Sequence, residues 1–241
     1  MDRSTDYMNY TTTMFKNLLA VPHSVPTPAL RSELGCLSME ERIHCRKLNF
    51  IYHVISIGNS TLANEIYELQ RNFNLPGLVQ ECRKLMSKYG LPNIIDENVM
   101  MSKMQWKTIV KKKVGEHSGK HLLAKFSEYS KLRDGPLMEG GLNLKPYIQS
   151  LKLCDARTMF RIRTSMMPSQ FNMKNNPKFA SKLWKCDSCQ RIDSQSHILW
   201  CPFVAPLRER KDVQNDTDLV EYFKEVFEIR EEMEKSMNGS S

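Results

Sequence analysis

Trp184-Lys185-Cys186-Asp187-Ser188-Cys189 is followed, after seven residues, by His197-Ile198-Leu199-Trp200-Cys201-Pro202. The thiols and the imidazole make the pattern Cys-x2-Cys-x7-His-x3-Cys. A Cys-x2-Cys turn brings two sulfurs within reach of one ion at about 2.3 Å, and a His-x3-Cys pair sits about one helical turn apart, with both donors facing the same way. Four protein ligands fill a tetrahedron and leave no position for an activated water. The expectation is therefore one structural Zn²⁺ held by Cys186, Cys189, His197 and Cys201. The alternative is three small core cysteines and a hydrogen-bonded histidine; the His and third Cys in register favour the metal.

The residues before this knuckle are strongly basic. From Lys152 to Lys185 a single acid, Asp155, stands against eight basic residues. A helix capped by Asp155 would turn Met159, Phe160 and Ile162 inward and leave Arg157, Arg161 and Arg163 outward, with Arg157 and Arg161 on one face. In the Asn-rich loop that follows, Phe171, Phe179 and Trp184 interleave with Lys174, Lys178 and Lys182. Rings among cations can stack on exposed bases, or they can pack against the metal site. For Trp184 and Trp200, beside the ligands, packing is the expectation. Beyond the knuckle, Asn215-Asp216-Thr217 caps a last helix whose Leu219, Tyr222, Phe223, Val226 and Ile229 form an apolar stripe opposite an acidic face.

Upstream, the pattern is helical. Ser38-Met39-Glu40-Glu41 and Ser102-Lys103-Met104-Gln105 are capping boxes, Ala63, Ile66 and Leu69 are expected to face inward, and Gly90 stops a helix ending near Tyr89. Lys103, Lys107, Lys111, Lys112 and Lys113 collect on one helix. Such a run is a solvated face or a surface that tracks phosphates. His117 and His121 lie four apart with no third ligand near and read as surface polar residues. Asp134-Gly135-Pro136 and Gly140-Gly141 bracket the clearest loop, which sets a helical region at 1–140 and a region of basic helix, knuckle and C-terminal helix at 141–241. The fold class is mainly α: a string of short packed helices, then a small zinc-knuckle module and a C-terminal amphipathic helix.

Composition narrows the function. Of 241 residues, 41% are hydrophobic, enough to build a core. Seven cysteines form an odd set with no apolar signal segment behind Met1, which fits a reducing compartment, nucleus or cytoplasm, better than a disulfide framework. No run of apolar residues is long enough to span a bilayer, so no membrane partner is expected. The formal charge of +8 points to a polyanion, RNA or DNA, and nothing points to a small-molecule substrate.

Three stretches then carry a family resemblance. The run from Asp155-Ala156-Arg157-Thr158-Met159-Phe160-Arg161-Ile162-Arg163 through Cys-x2-Cys-x7-His-x3-Cys-Pro resembles the segment after the polymerase core in non-LTR (LINE-like) retrotransposon reverse transcriptases. Three residues separate the His from the last Cys here, where that family more often has four. The tail Leu207 to Arg230 and the early Pro28-Ala29-Leu30-Arg31-Ser32-Glu33-Leu34-Gly35 are similar to flanking stretches of the same polyproteins.

The resemblance implies a detached C-terminal piece that grips template RNA or target DNA through a knuckle ligated by Cys186, Cys189, His197 and Cys201. It does not imply an enzyme. The family's palm motif has two adjacent aspartates and its restriction-like endonucleases use a Pro-Asp dipeptide; this sequence contains neither. A phosphate-binding glycine loop, a Gly-x-Ser-x-Gly elbow and a His-Glu-x-x-His pair are also missing. The alternatives are a helical zinc-containing adaptor for other proteins, or a relic copy without a function. With no carboxylate pair to hold two Mg²⁺ ions, the chain is expected to add no nucleotide to a primed RNA template. Template-dependent incorporation above a no-enzyme control, measured with labelled nucleotide, would refute this.

Overall fold

The computed structural model describes residues 12–21, 25–57, 61–97, 101–129, 141–167, 169, 185–186 and 188–238. Along them run α1 (Thr27–Glu33), α2 (Met39–Ile57), α3 (Leu62–Asn72), α4 (Leu78–Tyr89), α5 (Lys103–Phe126), α6 (Pro146–Ser150), α7 (Leu153–Arg163), α8 (Gln195–Trp200), a 3-10 turn (Pro202–Val204), α9 (Ala205–Arg210) and α10 (Asp216–Asn238). Residues 12–18 are also helical. Extended pairing among the described residues is limited to isolated bridges between Leu34 and Leu144 and between Lys185 and Ile192, so the chain is mainly α, as expected. No helix among the described residues is long and apolar enough to cross a membrane. The loop from Asp134 to Gly140 lies outside the described residues.

The chain divides into two compact units, one gathering residues 30–128 with 141–144, the other residues 14–29 with 145 onward. In the first, α2 is the spine, packed on α3, α4 and α5. Its inward residues Leu48, Ile51 and Val54 meet Val79, Cys82 and Met86 of α4 and Trp106, Val110 and Val114 of α5. Trp106 is fully buried, stacks on Tyr52 with ring centroids 5.7 Å apart, and donates its indole N–H to the Leu48 carbonyl at 3.0 Å. That bond satisfies the one polar atom the side chain brings into the core.

Both capping boxes form. The Glu41 amide donates to Ser38 Oγ at 3.2 Å while the Glu41 carboxylate accepts from the Ser38 amide at 2.7 Å, and Ser102 and Gln105 reciprocate in the same way at the start of α5. Gly90 closes α4 in the left-handed conformation that glycine adopts without a Cβ clash. On α3 the expected inward set is corrected. Asn64 and Tyr67 are buried, whereas Leu62, Ile66, Leu69 and Phe73 are exposed. Tyr67 joins the core cluster of the first unit, and the opposite side of the helix, with its aliphatic stripe, is left exposed.

Residues 141–144 join the first unit through backbone contacts at the end of α1. Ser32 Oγ donates to the Gly141 carbonyl at 3.1 Å. Gly35, at φ +61°, comes so close to this segment that a Cβ there would lie 2.4 Å from the Leu144 nitrogen.

In the second unit α7 buries Ala156, Met159, Phe160 and Ile162 and packs on α6 and α10. From α10 come the buried Leu219, Val220, Tyr222, Phe223 and Val226. Asp155 does not cap α7: the cap position is Lys152, one turn earlier than the sequence suggests, and the Asp155 carboxylate instead pairs with Lys224 of α10. Within the first helical turn it still complements the helix dipole.

Glu41 also ties α1 to α2, accepting from Arg31 Nη2 at 2.6 Å, and the same guanidinium donates to Ser118 Oγ of α5 at 3.0 Å. Burial alone would raise the Glu41 carboxyl, but the Ser38 amide, the Arg31 charge and the Ser38 and Ser118 hydroxyls outweigh it and hold the group below the usual carboxylate range. A depressed folded pKa contributes stability that is present above the unfolded value and lost as pH falls through the folded one. Denaturation of the chain between about pH 6 and about pH 3 should therefore show an acid limb. Glu41→Gln should start lower at the upper pH and lose less on acidification; an unchanged limb would show that Glu41 does not contribute.

Candidate metal centre

The four sulfur and nitrogen donors come together in the second unit. Around Cys186 the chain makes a tight turn, in which the Cys186 amide donates to the Arg191 carbonyl at 2.7 Å and the Gln190 amide to the Cys186 carbonyl at 2.8 Å. Gln190 sits at φ +62°, the left-handed residue that lets the turn close. Ser194 then caps α8 by accepting the His197 amide at 3.1 Å, which aims His197 back toward the turn. Cys201 ends α8, and Pro202 starts the 3-10 turn behind it.

Cys186 Sγ and Cys201 Sγ are 3.8 Å apart, Cys189 Sγ and Cys201 Sγ 3.9 Å, and Cys189 Sγ and His197 Nε2 3.3 Å. All four ligand atoms lie within 4.8 Å of one another, and the cluster could hold a metal ion. The sulfurs are too far apart for a disulfide, whose bond is about 2.05 Å, and all seven cysteines are free. The remaining four are used differently: Cys82 is buried and its thiol is pushed up to about 12, while Cys36 and Cys45 are half-buried and Cys154 is exposed.

The electrostatics of the cluster favour a cation. Burial would raise the Cys186 thiol, but amide N–H groups of Cys189 and Ser188 and the neighbouring thiols stabilise its anion, and the net shift is downward. Cys201 moves the other way, up to about 11, because it is buried and because an anionic Cys186 lies beside it. Burial lowers His197, which keeps its imidazole neutral and its ring nitrogen free to donate an electron pair. A divalent ion would favour the thiolate form of its cysteine ligands.

Several residues that the spacing did not reveal brace this loop. Asp193, 1% exposed at its side chain, receives Nη1 of Arg230 from α10 at 3.2 Å, with a second ion-pair contact at 2.9 Å. Gln195, also buried, accepts the Met167 amide at 3.2 Å and donates to the Ile162 carbonyl at the end of α7. Tyr222 OH donates to the Ile198 carbonyl at 2.9 Å, and Arg208 Nη1 to the Leu199 carbonyl at 2.8 Å. The only sequence signal for these was polarity at positions beside the cluster, and that signal is too general to identify partners 9 to 37 residues away.

Trp200 does not pack behind the ligands as expected. It is 69% exposed, with the Arg208 guanidinium 5.2 Å from its ring, because α8 turns its other side, Ile198, into the core. Trp184 lies outside the described residues.

The basic residues are distributed unequally. Arg157 and Arg161 do share a face, but they use it on the chain itself: Arg157 Nε and Nη2 donate to the Leu18 carbonyl at 3.1 and 2.9 Å, and Arg161 donates to the Ala20 carbonyl. Arg163 is not outward. It is buried with its guanidinium 5.8 Å from the Tyr147 ring centroid, because a position one after Ile162 and three after Phe160 falls on the packed side of α7. In the first unit, Lys111 and Lys112 are exposed on α5, while Lys113, a further 100° round the helix, is half-buried and 3.7 Å from Glu116. Lys174, Lys178 and Lys182 lie outside the described residues. His117 is not a surface residue: it is half-buried and edge-on to Tyr89, ring centroids 5.1 Å apart.

Comparison of the chain with protein-family models, with curated proteins and with solved structures finds no match.

Arg230→Met leaves the buried Asp193 carboxylate without its main counter-charge. The expected cost is about 3 kcal/mol, read as a lower denaturation midpoint. Lys211→Met removes an exposed pair with Glu221 and Glu225 from the same helix and should shift the midpoint far less. Equal effects would mean that the Asp193 bridge does not support the ligand loop.

Proposed function

We propose that the chain is a zinc-stabilised nucleic-acid-binding module, a C-terminal segment of the non-LTR reverse-transcriptase type that grips RNA or DNA and performs no polymerisation or cleavage itself. The observation that carries this reading is the Cys186, Cys189, His197, Cys201 cluster. Tetrahedral zinc with Zn–S bonds of about 2.3 Å separates its sulfurs by about 3.8 Å, and Cys201 Sγ stands 3.8 Å from Cys186 Sγ and 3.9 Å from Cys189 Sγ. Three soft thiolates and one imidazole suit Zn²⁺ over the harder Mg²⁺ or Ca²⁺, and four protein ligands close the site.

The order Cys, Cys, His, Cys behind an arginine-bearing helix supports the family assignment, and the +8 charge supports a polyanionic partner. A second reading, the protein-interaction adaptor, is favoured by one feature: Leu62, Ile66, Leu69 and Phe73 form a continuous exposed apolar stripe on α3.

Purified protein refolded with zinc should hold about one zinc per chain by elemental analysis, and Cys189→Ser should hold none at matched free zinc. A parent chain that stays metal-free would end the knuckle reading. The same zinc-loaded protein should bind single-stranded RNA with an affinity that falls steeply with salt. Zinc uptake without any RNA binding would leave the adaptor.

A further inference from the structure

The first unit contains a groove of about 760 Å³ that the zinc site does not use. One wall is a single face of α5, running from Thr108 through Gly115 and Gly119 to Leu123; the others are the turn at Gly35 and the segment Gly141–Asn143. Two glycines one helical turn apart shape it. At Gly119 a Cβ would lie 3.6 Å from the Gly141 Cα, so helix and segment meet there, whereas at Gly115 a Cβ would find nothing within 4 Å. The groove opens because the chain has no side chain where the walls diverge. The close backbone approach of Gly35 to Leu144 fixes the opposite side, so the cavity exists before anything enters it.

Its rim is cationic. Lys111, Lys112 and Lys120 line it and are exposed, and Glu116 is the one acid among its lining residues. Glu116 is itself close to Lys113, which points elsewhere. Lys112 and Lys120 are eight residues apart, about 12 Å along the helix, which separates the positive charge into two stations. Its apolar floor is formed by the lining leucines Leu37, Leu123 and Leu142, and no aromatic ring lines the groove.

We propose that this groove seats a single-stranded nucleic acid, its phosphates on Lys111, Lys112 and Lys120 and its unpaired bases on the leucine floor. The assignment rests on the nucleic-acid reading above and gives it a location away from the arginine helix. A duplex turns its bases inward and offers the floor nothing to meet, so the single strand is the fitting ligand. Without a ring for stacking or an array of donors reading base edges, the contact is sequence-tolerant.

The test is fluorescence anisotropy of a labelled oligouridylate with the zinc-loaded full chain across a salt series. Lys111→Gln/Lys112→Gln/Lys120→Gln should weaken binding at least about tenfold near 0.1 M salt and flatten the log–log salt slope by about two, at roughly 0.7 for each phosphate no longer neutralised. Gly115→Leu fills the groove without changing charge, at a position with open space and in a helix where Leu is the better residue, and should weaken binding about tenfold while the melting midpoint stays at or above the parent's. Lys103→Gln/Lys107→Gln/Lys125→Gln removes the same charge from α5 outside the groove lining and should change affinity little.

Parent-like binding by Gly115→Leu, or equal weakening by the two lysine triples, would overturn the groove and leave the nucleic-acid reading standing. If the parent itself binds no oligonucleotide, both fail.

Discussion

The convergence of three thiols and an imidazole within 4.8 Å is the constraint on which the second unit depends. Groups that repel one another when ionised, and that lose hydration when buried, hold such an arrangement only if something compensates. Part of the compensation is local: amide N–H groups of the 186–191 turn lower the Cys186 thiol, while Cys201 beside it is driven up to about 11. A cation at the centre of the four donors would relieve the repulsion between them, and their mutual approach to within 4.8 Å leaves them placed to hold one. An ion bound there would add its binding free energy to the folding of the residues that carry the ligands.

The ligand loop does not stand alone on its ligands. Asp193, Gln195, Ile198 and Leu199 each connect through a hydrogen bond or ion pair to α7, α9 or α10 or, through the Met167 amide, to the chain just beyond α7. Buried polar networks of this kind specify one arrangement because each unmade bond would be costly. The geometry of the Cys/His cluster therefore rests on α7, α9 and α10 as well as on its own turn. The first unit has a different logic, an apolar core centred on Trp106 with its indole satisfied by the backbone of α2.

Charge follows the same division between internal use and availability. The arginines of α7 are consumed by carbonyls at residues 18 and 20 and by the ring of Tyr147, whereas the lysines of α5 border a groove. A guanidinium presents a planar fork of donors that suits fixed carbonyls, and an ammonium on a flexible stem keeps its hydration, so the two residue types settle into these roles for physical reasons.

What could be read from the sequence was whatever depends on near neighbours. The Ser38 and Ser102 capping boxes, the stop at Gly90, the helical class and the four Cys/His positions of the cluster are set by spacings of three to eight positions, where local geometry leaves few alternatives. Tertiary structure decided the rest. Which of two apolar faces of α3 packs, whether Trp200 lies in or out, and that Asp155 pairs with Lys224 all depend on elements far away in the chain. So does the place of residues 14–29, which cluster with the second unit and whose Leu18 and Ala20 carbonyls receive arginines about 140 positions later. A hydrogen bond of that range leaves no periodicity in sequence, because the donor and acceptor are chosen by packing and not by spacing.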